Sequence, residues 1–444
     1  MHVQTIERLI DLTDPAVNFV LNMPLEEARQ RVASGDPRQI REIDGQFALV
    51  AKTGKIVRMA RSIGQPLRYF IAKRHAGPAL IVSDRIDAIA QHLKSEGLID
   101  QFHPSYTRMV PAHHLVELAL VGCPDPNPVC RRFFDPPRNR WPADLDAIGE
   151  RYVATLAREI DRWLDTIDRR EPLGVLFSGG IDSGAVLLVV YHLLLRRGES
   201  PARLKAFTLD LDGEGADARQ AQRFLDELDL GFLLERIVVS SDTIQLDEVI
   251  RVLEDYKPLD VQAAAMGLAL CRGIRARYPD WRYLLDGDGG DENLKDYPIE
   301  DNPELTIRSV LSNPLLYQEG WGIQAIKHSL TYSGGQSRGH VRSYAPLRVC
   351  GFRGFSPFAL PNVIEVAEGI PFIDLTGWEH ARLYALKGEV VRRGVRAVTG
   401  MTMPVFEKRR FQHGALDRQR FDRLFPAHPG EYRRRFERLF ADLA

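Results

Sequence analysis

The sequence predicts an α/β protein in which a doubly wound parallel sheet follows a smaller antiparallel β domain. Three observations predict this class: paired strand patterns in the N-terminal third, strands that alternate with helices afterwards, and a proline-rich break between the two regions. We place the domain boundary at that break, so the predicted domains span residues 1–142 and 143–444.

The N-terminal domain has the pattern of short antiparallel strands. In "QFALVAKTGKIVRMARS" two apolar runs are joined by Thr53-Gly54, which is a hairpin signal, and "PLRYFIAKRHAGPALIVSD" repeats the arrangement. The segment from Cys123 to Pro142 is rich in proline, and we expect neither helix nor sheet there.

The C-terminal domain alternates strands with helices. Apolar strand patterns occur in "LGVLFSGG", "LKAFTLDLD", "ERIVVSS" and "WRYLLDGD". Helical patterns separate them, among them "SGAVLLVVYHLLLRRG", "DARQAQRFLDELDL" and "AAMGLALCRGIRARYP". This alternation predicts a parallel sheet covered on both faces.

The amino-acid composition limits which kinds of binding partner are expected. The 444 residues carry 59 Lys and Arg against 60 Asp and Glu, a formal net charge of −1, so nothing favours nucleic acid or a membrane surface. No apolar run is long enough to span a bilayer, and the N-terminus lacks a signal-peptide core, so we expect a cytoplasmic protein. The sequence is compatible with a homodimer but does not determine the oligomeric state.

The stretch "VLFSGGIDSGAVLL" joins a strand to a helix, and ligands of parallel sheets bind at such strand ends. Gly179 and Gly180 let the backbone approach a ligand closely, while Ser178 and Ser183 add hydroxyl donors to the N–H groups of the helix. Together they suit phosphate. Asp182 would repel phosphate unless it holds a bridging divalent cation. The plain alternative is a glycine turn with Asp182 as a helix cap.

The pattern S-G-G-x-D-S resembles the signature of the PP-loop ATPases, which have an adenine nucleotide α-hydrolase-like fold and form AMP and pyrophosphate. A second stretch, "LLDGDGGDENLKDYP", is similar to "L-S-G-E-G-x-D-E-L-F-G-G-Y" of asparagine synthetases. Gly287, Asp288 and Asp291 match, whereas Asp286 replaces the family's serine. The resemblance implies ATP bordered by Gly287 and Asp288, and Mg²⁺ held by Asp182 and Asp291. An acidic surface turn is the plain alternative.

Weaker matches keep the family's order along residues 147 to 415. The strand in "FTLDLDGEGADARQAQRFLDEL" resembles the one bordering adenine, which implies a contact at Leu209. In "LEDYKPLDVQAAAMGLAL", Asp260 takes the place of a family acid, which implies a substrate contact. In "MPVFEKRRFQHGA", Lys408 takes the place of a lysine that contacts phosphate and developing charge in asparagine and β-lactam synthetases. A solvated charge run from Lys408 to Arg410 is the alternative.

Two departures from the family bear on the substrates. The stretch "IDGQFALVAKTGKIVRMARSIGQPLRYF" is similar to part of the Ntn-type glutaminase domain of asparagine synthetases, which implies a truncated domain of that type here. Those glutaminase domains begin with Cys after the initiator Met, but here His2 follows and no cysteine precedes Cys123, so the domain is expected to lack glutaminase activity. Beta-lactam synthetases and lasso-peptide cyclases likewise lack the cysteine. In "GFRGFSPF", Arg353 replaces the glutamate of "S-L-E-x-R-x-P-F", which predicts a negatively charged substrate group near Arg353.

The predicted reaction is ATP-dependent amide formation from a small-molecule, peptide or carrier-bound carboxylate and an amine. Candidates for the general base are Tyr344, Tyr297, Glu292 and His340. Alternatives are an intramolecular β-lactam or macrolactam closure, a tRNA-thiolating enzyme, which the charge balance disfavours, and a non-catalytic nucleotide-binding scaffold.

Overall fold

The computed structural model describes residues 8–74, 77–119, 127–213, 215–296, 306–312, 340–406, 418–441 and 443. The predicted α/β class is confirmed, with an antiparallel β region first and a parallel sheet second. The N-terminal elements are β1 (Arg8–Asp11), β2 (Phe19–Val20), α1 (Leu25–Ser34), α2 (Pro37–Arg41), β3 (Gly45–Gln46), β4 (Ala48–Thr53), β5 (Ile56–Arg61), β6 (Arg68–Ala72), β7 (Ala79–Ser83), α3 (Ile86–Ser95), β8 (Arg108–Met109), β9 (His114–Ala119) and β10 (Val129–Arg132).

These strands form two four-stranded sheets, β1-β7-β6-β8 and β10-β9-β5-β4, and β2 pairs with β3. The predicted hairpin is confirmed, since β4 and β5 pair antiparallel with Thr53 opposite Ile56. Side chains such as Met59 and Leu80 meet in one apolar core between the two sheets. The relation to glutaminase domains stays a prediction.

The expectation that the proline-rich segment would contain no sheet is wrong for β10. Val129–Arg132 pairs antiparallel with β9 at the edge of its sheet. These four residues contain no proline, so their N–H groups are available to a ladder although prolines flank them.

The C-terminal elements are α4 (Leu145–Leu164), β11 (Leu173–Leu176), α5 (Ile181–Arg196), β12 (Leu204–Leu211), α6 (Ala216–Asp226), β13 (Leu234–Val239), α7 (Leu246–Leu253), α8 (Pro258–Arg277), β14 (Tyr283–Leu285), α9 (Gly290–Leu294), α10 (Ile307–Ser312), α11 (Ala345–Val349), β15 (Arg353–Phe355), α12 (Pro361–Glu368), α13 (Phe372–Thr376), α14 (His380–Thr399), α15 (Arg418–Leu424) and α16 (Pro429–Ala441). A turn of π-helix, His340–Tyr344, leads into α11. No helix within the described ranges is both long and apolar enough to cross a bilayer.

The parallel sheet has strand order β13-β12-β11-β14-β15. Successive residues point to opposite faces, so Val175 joins the apolar core with α4, α5 and α14, whereas Leu209 joins the one with α7 and α8. The connection leaves β11 in one direction towards β12 and β13, while β14 and β15 lie on its other side. The carboxyl ends of β11 and β14 therefore flank the switch point where parallel sheets bind ligands.

Candidate functional site

The first motif forms the turn between β11 and α5. Gly179 adopts a left-handed backbone with φ +71°, and Gly180 is the N-cap of α5. The Ser178 and Ser183 hydroxyl oxygens lie 3.3 Å apart, and the Gly180 N–H donates to Ser178 Oγ at 3.3 Å. A helix start carries N–H groups without partners inside the helix, so two hydroxyls beside this start form an anion-binding end.

The second motif packs directly on the first. A Cβ at Gly290 would stand 2.3 Å from Asp182 Oδ1, and one at Gly287 would stand 2.8 Å from Ser183 N. Real Cβ atoms do not approach so closely, so only glycine permits this contact between the end of β14 and the start of α5. The two stretches matched separately in the sequence thus form one site at the switch point.

A lysine that the sequence analysis missed joins the two motifs. Lys387 on α14 has its Nζ 2.5 Å from Asp182 Oδ2, forms an ion pair with Asp291, and lies 3.4 Å from Asp296 Oδ2. Burial lowers the pKa of the Lys387 ammonium, but the charges of Asp182, Asp291 and Asp296 outweigh burial and raise it well above its usual value. The lysine is therefore a fixed positive charge between the motifs.

This donor set fits Mg²⁺ on a nucleotide phosphate. The carboxylates of Asp182 and Asp291 already converge on one cation, the ammonium of Lys387. Within the described ranges, no group of three or more His, Cys, Asp or Glu side chains could hold a metal. Magnesium usually takes one or two protein carboxylates and completes its shell with substrate phosphates and water.

Two more carboxylates follow β14 and form an acidic pair. Asp286 Oδ2 accepts from Ser356 Oγ at 2.9 Å, and Asp286 Oδ1 accepts from the Asp288 N–H at 3.0 Å. Asp288 Oδ2 accepts from Ser343 Oγ at 2.5 Å. Burial raises the pKa of Asp286 to about 6, against hydrogen bonds that lower it. Burial and the charge of Asp286 raise the pKa of Asp288 well above its usual range. Such a pair is suited to exchange a proton near neutral pH.

Two of the predicted base candidates take different places. Glu292 is buried on α9, close enough for its charge to raise the pKa of Asp288. Tyr344 instead lies among Asp84, Asp14 and Arg348, and burial raises the pKa of its phenol. Tyr344 therefore lies beside acids of the N-terminal β region, and its catalytic role stays a prediction.

Of the remaining predicted residues, one lies near the acidic pair and two lie elsewhere. Asp260 is buried in the first turn of α8, and its Oδ1 lies 3.6 Å from Arg342. The charge of Arg342 also lowers the pKa of Asp288, so Arg342 stands between Asp260 and the acidic pair. The side chain of Leu209 lies in the apolar core beside α8. Its expected contact with adenine stays a prediction. Arg353 is exposed at the amino end of β15, opposite Tyr283. Lys387 and the acidic pair lie at the carboxyl end of the sheet, so Arg353 stands at the opposite end of its strand, and a substrate contact there stays a prediction.

Some predictions lie outside the described residues. These are the catalytic role of Lys408, the candidate base Tyr297 and the side chain of His340.

The functional residues that sequence reasoning missed are Lys387, Ser343 and Ser356. Lys387 stands 205 positions from Asp182 and 96 from Asp291, on an amphipathic helix where a lysine normally faces solvent. One signal was present, because Lys387 follows Leu386 within an apolar turn of that helix. Ser356 lies within "GFRGFSPF", where the family match drew attention to Arg353, and Ser343 precedes Tyr344 without a motif of its own.

Part of the chain is similar to a known protein family. Residues 165–345 match the model of the asparagine synthase family. The comparison with curated proteins finds no match. Among solved structures, the chain is similar to the NAD⁺ synthetase from Burkholderia pseudomallei at 16% identity, covering 57% of this chain and 91% of that one, with a TM-score of 0.23. Nothing further rests on that likeness.

Proposed function

We propose that this chain, whose residues 165–345 are asparagine synthetase-like, is an ATP-dependent ligase that adenylates a substrate carboxylate and transfers the acyl group to an amine. One observation carries the proposal: two strand-end motifs meet at the switch point of the sheet, with Lys387 between Asp182 and Asp291. A phosphate-binding helix end, a pair of Mg²⁺ ligands and a fixed ammonium are the parts that phosphate chemistry requires.

Activation is needed because a carboxylate is a poor electrophile. One carboxylate oxygen attacks the α-phosphorus of ATP, the bond from that phosphorus to the bridging oxygen breaks, and pyrophosphate leaves. The amine nitrogen then attacks the acyl carbon, and AMP leaves with the oxygen that came from the acid. The sum is acid, amine and ATP converted to amide, AMP and pyrophosphate.

The chain's own groups divide this work. The start of α5 with Ser178 and Ser183 holds phosphate oxygens, and Lys387 balances the charge that develops on them. Asp182 and Asp291 would hold Mg²⁺, which supplies charge neutralisation on the phosphates when bound.

We assign the second half-reaction, in which the amine attacks, to the acidic pair of Asp286 and Asp288. An attacking amine must lose a proton, and we assign its acceptance to Asp288, whose pKa is raised by burial and by the charge of Asp286. Asp260 and Glu292 border this part of the site and are proposed to contact the substrate.

The expected lack of glutaminase activity stays a prediction. Whether the amine belongs to a second molecule or to the same one, and the cytoplasmic location and oligomeric state, stay predictions.

A hydroxylamine trap tests the proposal. The chain is incubated with ATP, Mg²⁺, hydroxylamine and a panel of carboxylic acids, peptides and carrier-bound acids. We expect a hydroxamate from one acid and stoichiometric AMP. ADP in place of AMP would replace adenylation by acyl-phosphate chemistry. Failure to bind ATP or consume it with any acid would favour the scaffold alternative.

A further inference from the structure

Gln46 of the N-terminal domain reaches the end of β15. Its Nε2 donates to the backbone oxygen of Ser356 at 3.0 Å, and Ser356 Oγ donates to Asp286 Oδ2 at 2.9 Å. Gln46 is 3% exposed. A buried amide that bonds the main chain of Ser356 fixes the residue whose hydroxyl orients Asp286. These three residues form the first strut between the domains.

Arg348 on α11 forms the start of a second strut. Its Nε lies 3.1 Å from Asp84 Oδ2, and its guanidinium also lies 3.4 Å from Asp14 Oδ2; both acids belong to the N-terminal domain. The π-turn and α11 are one continuous helical segment, 340–349, and its Ser343 donates to Asp288 Oδ2 at 2.5 Å. The ion pair therefore holds the helix that orients Asp288.

The N-terminal end of this second strut is itself fixed. Asp84 stands just before α3, and the next residue, Arg85, donates to Val252 O at 2.8 Å. Glu254 Oε1 accepts from the Ile86 N–H at 2.6 Å and so caps α3 from the other domain. A link pinned on both sides can transmit position, whereas a lone surface ion pair contributes little.

The two struts act on the two members of one pair. Each carboxylate has one oxygen held by a serine hydroxyl, and Asp286 Oδ1 takes the Asp288 N–H. This pattern leaves Asp288 Oδ1 without a hydrogen bond in the part of the chain that the structure describes. A proton acceptor must present one oxygen in a fixed direction, and supporting contacts decide that direction.

We propose that the N-terminal domain positions the Asp286–Asp288 pair for the amine-dependent step, with Gln46 and Arg348 as positioning residues. The catalytic half of this inference rests on the proposed function. The N-terminal domain then serves the site as a support. Gln46 contacts Ser356, and Arg348 contacts Asp84 and Asp14, whereas Lys387 pairs with Asp182 and Asp291 on the phosphate side.

Hydrogen exchange of the full chain tests the struts without a substrate. In Arg348→Gln, we expect amides within 340–358 to exchange about tenfold faster, while those within 173–196 do not change. Arg348→Lys restores part of the protection because a point charge still pairs with Asp84. Gln46→Met is expected to expose the 353–358 stretch alone. Arg282→Gln, which removes an exposed arginine before β14, is the matched control.

Activity separates positioning from general stability. With an acid that the native chain adenylates, Arg348→Gln keeps pyrophosphate exchange but loses about tenfold in amine-dependent AMP release. The inference is overturned if 340–358 exchanges as in the native chain, if 173–196 accelerates equally, or if both half-reactions fall together. If the native chain exchanges no pyrophosphate with any acid, the proposed function fails, and hydrogen exchange still decides whether the struts exist.

Discussion

The ammonium of Lys387 lies 2.5 Å from Asp182 Oδ2, and the same ammonium pairs with Asp291. Removing one partner of a buried ion pair leaves uncompensated charge. We therefore expect Lys387→Met to lower the free energy of unfolding by about 3–5 kcal/mol. Urea denaturation measures the loss, with Lys205→Met as control because that lysine is 29% exposed beside Glu235.

Magnesium should restore part of that loss. With the lysine gone, Asp182 and Asp291 present their oxygens to a free cation, so excess Mg²⁺ is expected to raise the melting temperature of Lys387→Met more than that of the native chain. Equal shifts in the two proteins, measured against a chelator, would contradict the metal assignment.

Gly290 tests the contact between the motifs. Gly290→Ala puts a methyl group where Asp182 Oδ1 stands, so we expect the two motifs to separate and ATP-dependent activity to fall by about 100-fold. Gly430→Ala on α16 meets only the end of the Arg434 side chain and should leave activity unchanged. Similar activity in both variants would show that the motifs need not touch.

Much of this site could be predicted from the sequence, because strand-end motifs are local. The sequence of residues 178–183 and of residues 287–291 predicts in each case a glycine turn with acidic side chains. The strand order of the sheet then places the two turns side by side. Lys387 could not be found this way, since its partners come from two distant turns and its own helix shows only an apolar stripe.

Arg353 shows a different limit. Matching "GFRGFSPF" to a family motif did not show that 353–355 form a strand, or that Arg353 lies at its amino end. Register and strand direction decide that, and they are properties of the folded sheet. The same strand carries Ser356 just past its carboxyl end, where it meets Asp286.

These two positions of one strand predict opposite outcomes. Arg353→Ala should leave pyrophosphate exchange within about twofold of native, because surface substitutions away from a site have small effects. Ser356→Ala removes a hydrogen bond to a carboxylate and should lower amine-dependent AMP release by about tenfold. A raised Michaelis constant for the acid in Arg353→Ala would instead show that Arg353 contributes to binding the acid.

The acidic pair predicts how stability depends on pH. The folded-state pKa of Asp286, about 6, lies above its ordinary value of 3.8, so the folded chain binds this proton more tightly than the unfolded chain. The stabilisation is complete below the lower value and is lost as pH rises through the higher one. We expect the native melting temperature to fall between these values, and Asp286→Asn to reduce the fall.

Asp168→Asn is the control for that pH series. Hydrogen bonds from Arg170 lower the pKa of this exposed carboxyl, so its contribution has the opposite sign. An unchanged pH profile in Asp286→Asn would mean that folding does not raise the pKa of Asp286.

ATP–pyrophosphate exchange with Mg²⁺ over a panel of carboxylic acids tests the central claim most directly, because only a reversible adenylation returns labelled pyrophosphate to ATP. We predict exchange with one acid, lost in Asp182→Asn and kept in Asp168→Asn, whose carboxyl stands before β11 at the other end of the strand. Exchange that persists in Asp182→Asn, or no exchange with any free, peptide or carrier-bound acid, would contradict the account.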